Sequence, residues 1–570
     1  MGVEKWPMLL DLVVSPSPLS PPLRAVGSKS RRPPGEGRQL SDSLQGVVCD
    51  EFATGTENTM ANQYIMGIDI GTSGCKTLII DDRGRVLARA TEEYPLSTPH
   101  PGWSEQNPEH WWQAVRTTVQ RVTHGFEDTG AIKGIGLSGQ MHGLVALDPS
   151  GHVLRPCILW NDQRTARQCQ EIHQAVGGIA ELLKLTNNQM LPGYTGGKIL
   201  WVRQNEPDIY EKIRFCLNPK DYIRFRLTGE YATEVSDASG TGLFDVRRRT
   251  WCRPLLERLD IPGEWLPRCY ESPEISGRLR SRVASDLGLP ADVPVAGGGG
   301  DAVVQTTGTG LVQEGILGTT IGTAGIVAMA LNRFYDNPEG RLQVFCNNMP
   351  GKWHTMGVTL AAGGSLRWVR DMLAGAEREV ARWTGEDVYD VMAREASKAL
   401  PGSEGLIFLP YLIGERCPYP DPNARGGFIG LTLRHNRSSI MRSVLEGVIF
   451  SLMDVSRLIE GMGLEITQIR TSGGGALSSL WRQIHADVFN REVITVSGSA
   501  EGGAYGAALV AGAGTGVWSS VEEAAQVVAA ETTNRPIPEH VAVYRRLFPI
   551  YRSFYKVLKE SFDQIAAIYQ

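Results

Sequence analysis

Two aspartates stand where a carboxylate could do chemistry. Asp69 lies in Gly67-Ile-Asp-Ile-Gly-Thr-Ser-Gly74, a run that reads as a strand entering a tight turn, with a second strand at Cys75-Lys-Thr-Leu-Ile-Ile80. Gly71 and Gly74 permit positive φ and close backbone approach, so the turn at Thr72 and Ser73 can offer amide N–H groups to an anion. The carboxylate just before it could hold a hydrated metal ion. The run is not a P-loop, because Lys76 follows Gly74-Cys75 and the G-x-x-x-x-G-K-[ST] spacing fails. Ordinary β-hairpins use the same residues. Asp301 closes Pro294-Val-Ala-Gly-Gly-Gly-Gly-Asp301, where four glycines would let substrate and phosphate approach the main chain. Phosphoryl transfer needs positioning, charge neutralisation and a base for the proton of the attacking hydroxyl, and Asp301 is the candidate base. The bland alternative is an aspartate capping amides in a surface turn. Two polar clusters could grip a sugar, Gln140-Met141-His142 and Trp160-Asn161-Asp-Gln-Arg164. Taken singly, His142 reads as an interior histidine and Trp160 as a core aromatic. Both clusters follow apolar strands, whose ends line clefts in α/β folds.

The elements around these residues repeat. Ile70-Gly-Thr-Ser-Gly74 is matched by Ile321-Gly-Thr-Ala-Gly325, with Asp69 before one turn and Thr320 before the other. A duplicated fold with two phosphate hairpins facing a cleft would look like this, and so would two unrelated turns in a glycine-rich chain. Ile469-Arg-Thr-Ser-Gly-Gly-Gly-Ala476 is a third strand-to-glycine turn, ahead of a helix from Leu480 to Phe489. The N-terminus of that helix would offer backbone donors and its positive dipole to phosphate or adenosine groups. Apolar residues at helical spacing predict a helix over 109–123, and Ile132-Lys-Gly-Ile-Gly-Leu137 reads as a buried strand. Pro219 opens one of several helices between 164 and 230.

The totals limit the choices. At 570 residues, two large domains are expected. A net charge of -5 argues against a general nucleic-acid surface, and no apolar run is long enough to span a bilayer. Nine scattered cysteines without a CxxC pair suit a reducing cytoplasm better than a disulfide framework or a zinc site. Residues 1–62, with Pro16-Ser-Pro-Leu-Ser-Pro-Pro22 and Arg31-Arg-Pro-Pro34, cannot bury enough apolar surface to fold. They read as a disordered extension, or as sequence ahead of a true start at Met60 or Met66.

From Ile65 to about Gly512 the chain resembles the FGGY carbohydrate kinase family. The resemblance rests on the first hairpin through Lys76, Trp103-Ser-Glu-Gln-Asn-Pro108, Gln140-Met-His-Gly143 and Leu159-Trp-Asn-Asp-Gln-Arg164. Pro219-Lys-Asp-Tyr222, Ser236-Asp-Ala-Ser-Gly240, Phe408-Leu-Pro-Tyr-Leu-Ile-Gly-Glu-Arg416 and Gly426-Gly-Phe-Ile-Gly-Leu431 extend it. It implies an α/β fold of two actin-like (ribonuclease H-like) domains closing over a cleft, at 63–312 and 313–570. The first would bind sugar and carry catalysis, and the second would bind nucleotide. It also implies ATP and Mg2+ as cofactors and the conversion of D-xylulose to D-xylulose 5-phosphate. Carried over by position, Asp301 is the proton acceptor, and Asp69 serves the phosphates and the magnesium, directly or through water. Met141 and His142 contact the sugar, and Gln140, Trp160 and Asn161 stand beside them as candidates from the two polar clusters. Gly71, Thr72, Ser73 and Lys76, with Gly322, Thr323, Gly473, Gly474 and Gly475, hold the nucleotide. Ala302 departs from the asparagine usual after the base, which leaves the sugar open, and Ala324 replaces a serine in the second hairpin. The expected partner is a small sugar, without nucleic acid or membrane, and a homodimer is left open. The alternatives are a kinase for another ketopentose, pentitol or polyol, and more distantly a non-catalytic actin-like ATPase switch or a sugar-sensing regulator.

Overall fold

Two mixed sheets built to one plan carry the molecule, as seen in a computed structural model that describes residues 63–569. The expectations for 1–62 lie outside those residues. The first sheet contains β1 (Tyr64–Ile70), β2 (Gly74–Asp81), β3 (Val86–Glu93), β4 (Ile132–Gly139), β5 (Ile275–Arg278), β6 (Pro294–Ala296) and the short β7 (Gly299–Gly300). Its order is β5-β6-β4-β1-β2-β3, with β7 beside β4. The second contains β8 (Ile316–Ile321), β9 (Gly325–Leu331), β10 (Gln343–Cys346), β11 (Trp353–Thr359), β12 (Gln468–Ser472), β13 (Val493–Val496) and β14 (Ala530–Asn534), in the order β10-β11-β9-β8-β12-β13-β14.

Six strands of each sheet correspond in position and direction. In both, the hairpin pair is antiparallel (β1–β2, β8–β9) and the next neighbour is parallel (β1–β4, β8–β12). A further parallel pair (β4–β6, β12–β13) ends on an antiparallel edge strand. The repeat read from ten residues therefore extends to whole sheets, and the α/β class expected from the sequence is the one observed.

Seven helices matter to the site: α1 (Pro108–Thr123), α2 (Pro219–Thr228), α3 (Asp301–Gly308), α4 (Gly363–Met372), α5 (Arg437–Gly461), α6 (Ser479–Phe489) and α7 (Gly502–Gly514). In α1, Asn107 Oδ1 accepts from the Glu109 amide, Pro108 opens the first turn, and Trp111, Val115 and Val119 are buried. Helix α7 is apolar on all sides and rich in Gly and Ala, as a helix enclosed by protein must be. It lies directly on β1 and β4. A Cβ at Gly67 would fall 1.9 Å from the Ala504 carbonyl oxygen, and one at Gly136 would fall 1.9 Å from that of Ala507. Among the described residues no helix is long and apolar enough to cross a membrane.

Candidate functional site

The first hairpin turns its carbonyls inward. The Gly71 amide donates to Gly74 O at 3.0 Å and closes the turn. Gly71 O accepts from Tyr94 Oη at 2.5 Å, Thr72 O from Gln106 Nε2 at 2.7 Å, and Ser73 O from the Tyr94 amide at 3.3 Å. The amides of Thr72 and Ser73 are spent on none of these bonds. In the second hairpin the Gly322 amide donates to Ala324 O, and the main chain leading into α4 holds the carbonyls: Gly363 N binds Gly322 O, while Ala362 N and Gly364 N bind Thr323 O. The correspondence reaches side chains. Ser138 Oγ donates to Asp69 Oδ1 at 2.6 Å across β1 and β4, and Thr320 and Ser472 pair at 2.9 Å in the same register across β8 and β12.

Asp69 ends β1 against the start of α7, where a Cβ on Gly503 would fall 2.8 Å from Oδ1. Burial raises its pKa, opposed by the Ser138 hydroxyl and by Lys76 across the ladder. Lys76 points its ammonium at Ala500 O (2.9 Å) and Glu501 (3.4 Å), so its charge anchors the loop before α7. Among the described residues no group of three or more ligating side chains surrounds Asp69. One buried carboxylate with a single hydroxyl donor suits a magnesium ion that keeps its waters and arrives with phosphates.

Asp301 is the first residue of α3, where the sequence reading had only a glycine run ending in an acid. The approach is tight: Gly298 has φ 74°, and a Cβ there would sit 2.0 Å from Leu137 O. Since β7 pairs Gly299 with Ser138 and Gly300 with Gly139, the ends of β1, β4 and β7 bring Asp301 and Asp69 together. Burial and then the neighbouring Asp69 push the Asp301 pKa up to about 8, with Asp237 adding to the effect and the Ala302 and Met141 amides opposing it. The segment is held from below. Gly300 N donates to Ser236 Oγ (3.0 Å), Ser236 and Ser272 hydroxyls donate to buried Glu234 (2.8 Å each), and Asn348 Nδ2 donates to Ser272 Oγ (3.0 Å).

Met141 and His142 form a shelf beside this acid. Met141 is buried against Gly300 and Gly240. His142 has φ 71°, and its carbonyl accepts from Lys198 Nζ (2.6 Å) and Thr195 Oγ1 (3.0 Å). Its ring stacks on Tyr194 with centroids 4.7 Å apart. Burial drives the imidazole pKa down to about 3, so the ring is neutral. Nδ1 lies 2.5 Å from Gly240 O. A carbonyl only accepts, so Nδ1 carries the proton and Nε2 is left as a bare acceptor.

The other sugar candidates are placed differently. Gln140 is fully buried, and its amide is spent on Gln106 (2.9 Å) and Thr72 (3.3 Å). Trp160 is 43% exposed and donates Nε1 to Thr72 Oγ1 at 2.9 Å. Among the described residues, Asn161 Oδ1 is buried without a partner. A cavity of about 480 Å³ opens beside the second hairpin, lined by Gly322, Thr323, Gly474 and Gly475. Gly473, the first glycine of that turn, is not in its lining. The helix expected after these glycines is present, one residue longer at its start. The glycines enter a 3₁₀ turn, α6 begins at Ser479, and Ser478 Oγ accepts from the Trp481 amide at that end. The cavity's apolar walls, among them Leu366, Met392, Met441, Leu445 and Trp481, were not found in the sequence, where such residues at helical spacing read as core.

Two family models match most of the chain. Residues 64–308 match the model of the FGGY family of carbohydrate kinases, N-terminal domain, and 317–515 match that of its C-terminal domain. The xylulose kinase of Escherichia coli (strain K12) is 37% identical over 495 residues, 86% of this chain and 99% of its own length. The crystal structure of a xyloylose kinase from Brucella ovis superposes with a TM-score of 0.81 at 36% identity, covering 87% of this chain and 100% of that one. That of gluconate kinase from Lactobacillus acidophilus gives 0.81 at 28% identity, covering 89% and 100%.

Proposed function

This chain belongs to the FGGY family of carbohydrate kinases, and from that premise we propose that it transfers the terminal phosphoryl group of ATP to D-xylulose, giving D-xylulose 5-phosphate. Asp301 is the observation that carries the mechanism: a carboxylate whose pKa burial and Asp69 have pushed up to about 8, next to the Met141–His142 shelf. Its ionised form is a stronger base than a free carboxylate and takes the proton of a sugar hydroxyl, so activity rises as pH rises through about 8. The bare Nε2 of His142 accepts from another hydroxyl of the sugar and fixes its orientation. The amides of Thr72 and Ser73, with the Gly322-Thr323 turn, meet the phosphates, and the 480 Å³ cavity takes the nucleoside. Magnesium, bound to the phosphates and facing Asp69 directly or through water, would neutralise charge on the transferring group. Gln140 and Trp160 act through Thr72, and Lys76 acts through Glu501.

The proposed division is residues 63–312 for sugar and catalysis and 313–570 for nucleotide. A cytoplasmic location rests on the free thiols of the eight described cysteines, and sedimentation decides between monomer and homodimer. The second reading, a kinase for another polyol or sugar acid, draws on Ala302 beside the base. His142 speaks against a sugar acid, because a neutral acceptor nitrogen repels a carboxylate. ADP release measured over D-xylulose, other ketopentoses, pentitols, glycerol and gluconate tests the assignment.

A further inference from the structure

The motif Trp103-Ser-Glu-Gln-Asn-Pro108 has no place in the mechanism above, yet its glutamine ends at the tip of the phosphate hairpin. Three hydrogen bonds close a ring through Thr72 there, and a fourth enters it from Trp160. Trp160 Nε1 donates to Thr72 Oγ1 (2.9 Å), Thr72 Oγ1 to Gln140 Oε1 (3.3 Å), Gln140 Nε2 to Gln106 Oε1 (2.9 Å), and Gln106 Nε2 to Thr72 O (2.7 Å). The direction of the ring is forced. Indole N–H groups only donate, so Trp160 makes Thr72 Oγ1 an acceptor and sends its single proton to Gln140. Buried Trp111 donates to Gln106 Oε1 (3.0 Å), which turns the Gln106 amide nitrogen toward Thr72 O.

We propose that this ring couples the sugar pocket to the phosphate hairpin, with Gln106, Gln140 and Trp160 as positioning residues acting through Thr72. The inference rests on the kinase reading of the two sites it joins. One end is anchored: Trp111, Gln106 and Gln140 are buried, and the Gln140 amide is tied to Ile70 O at 2.8 Å. The other end is open, because Trp160 is 43% exposed and precedes Asn161, whose Oδ1 has no partner among the described residues. Gln140 is also continuous with Met141 and His142. A sugar settling on that shelf and against Trp160 therefore sets the position of Thr72, and with it the amides offered to phosphate. Among the described residues the second hairpin has no such device, since backbone amides around the start of α4 hold its carbonyls.

Gln106 and Gln140 are too deeply buried for informative truncation, so the test uses Thr72→Val, Trp160→Phe, their double variant and Thr72→Ser. Sugar phosphate formed and ADP released are measured separately, on D-xylulose or on whichever sugar of the panel stimulates ADP release most. Each single variant should lower kcat about three- to tenfold, the factor one hydrogen bond carries, with the sugar KM within about twofold. ADP released without sugar phosphate should rise as a share of the total. The double variant should be no slower than the worse single, and Thr72→Ser, which keeps the hydroxyl, should recover most of the loss seen in Thr72→Val. Multiplying losses, a change confined to the sugar KM, or an unchanged kcat in both single variants would overturn the coupling. Should Thr72→Val fail to fold, the kcat-against-KM split of Trp160→Phe decides alone. A parent enzyme that hydrolyses ATP but phosphorylates no sugar overturns the kinase reading itself.

Discussion

Asp301, the proposed base, meets two opposed demands, since the burial that would make it basic also makes its charged form costly to the fold. Its pKa is raised to about 8 against an ordinary value near 3.8, so the folded state favours the protonated acid. That contribution to stability is complete below about pH 4 and is lost as pH rises through about 8. Asp301→Asn keeps the neutral shape. It should abolish most activity, with kcat down by about 10²–10⁴, while raising Tm by several degrees at pH 8.5 and by almost nothing near pH 4. Thermal melts of the metal-free protein at the two pH values check this, and a Tm gain independent of pH would remove the argument from burial. Asp69 enters the same balance as a neighbouring negative charge. Asp69→Asn should therefore move the acid limb of kcat/KM to lower pH, besides weakening the use of Mg-ATP, and a limb that stays in place would mean the two carboxylates do not interact.

The elements explain why part of this site was readable from residues and part was not. The paired hairpins were legible because Ile-Gly-Thr recurs with the same flanking apolar runs, and a turn needing close backbone approach leaves few other choices. Asp301 was legible as an acid after glycines, but not as the start of α3. The short run Asp301-Ala-Val-Val-Gln-Thr-Thr-Gly308 has β-branched residues at four of eight positions, and its helix is stabilised by packing on α7 rather than by propensity. Gln140 reads in the sequence as a sugar contact and lies buried in the structure, because burial direction cannot be taken from a polar cluster at a strand end. The cavity beside the second hairpin escaped altogether, its walls coming from apolar positions on separate helices. The seam between α7 and the first sheet gives an element-scale prediction. Gly67→Ala puts a methyl 1.9 Å from a backbone oxygen, so it should destabilise by about 2–3 kcal/mol or more, read as a lower denaturant midpoint. Gly503→Ala points its methyl at Ser138 Oγ (2.3 Å) and Asp69 Oδ1 (2.8 Å); it should cost activity at least tenfold, and an active, stable variant would show that Asp69 can move without consequence.

Across the whole molecule, two sheets of one plan carry different chemistry at equivalent positions. The first keeps a carboxylate at the hairpin (Asp69 with Ser138), and the second keeps only hydroxyls (Thr320 with Ser472). The halves are joined beneath the base, where Asn348, from the loop after β10, donates to Ser272 Oγ within the network under Gly300. Asn348→Ala should lower kcat about tenfold while leaving the KM for ATP nearly unchanged, and a rise in that KM alone would place the residue in nucleotide binding instead. All of these features acquire their meaning from one claim, that a sugar hydroxyl on the Met141–His142 shelf is phosphorylated with Asp301 as base. The most direct test is ADP release by the full chain with Mg-ATP across D-xylulose, other ketopentoses, pentitols, glycerol and gluconate. The account predicts a clear maximum of kcat/KM on D-xylulose, lost in Asp301→Ala. A maximum on any other compound, or ATP turnover indifferent to every sugar, would contradict it.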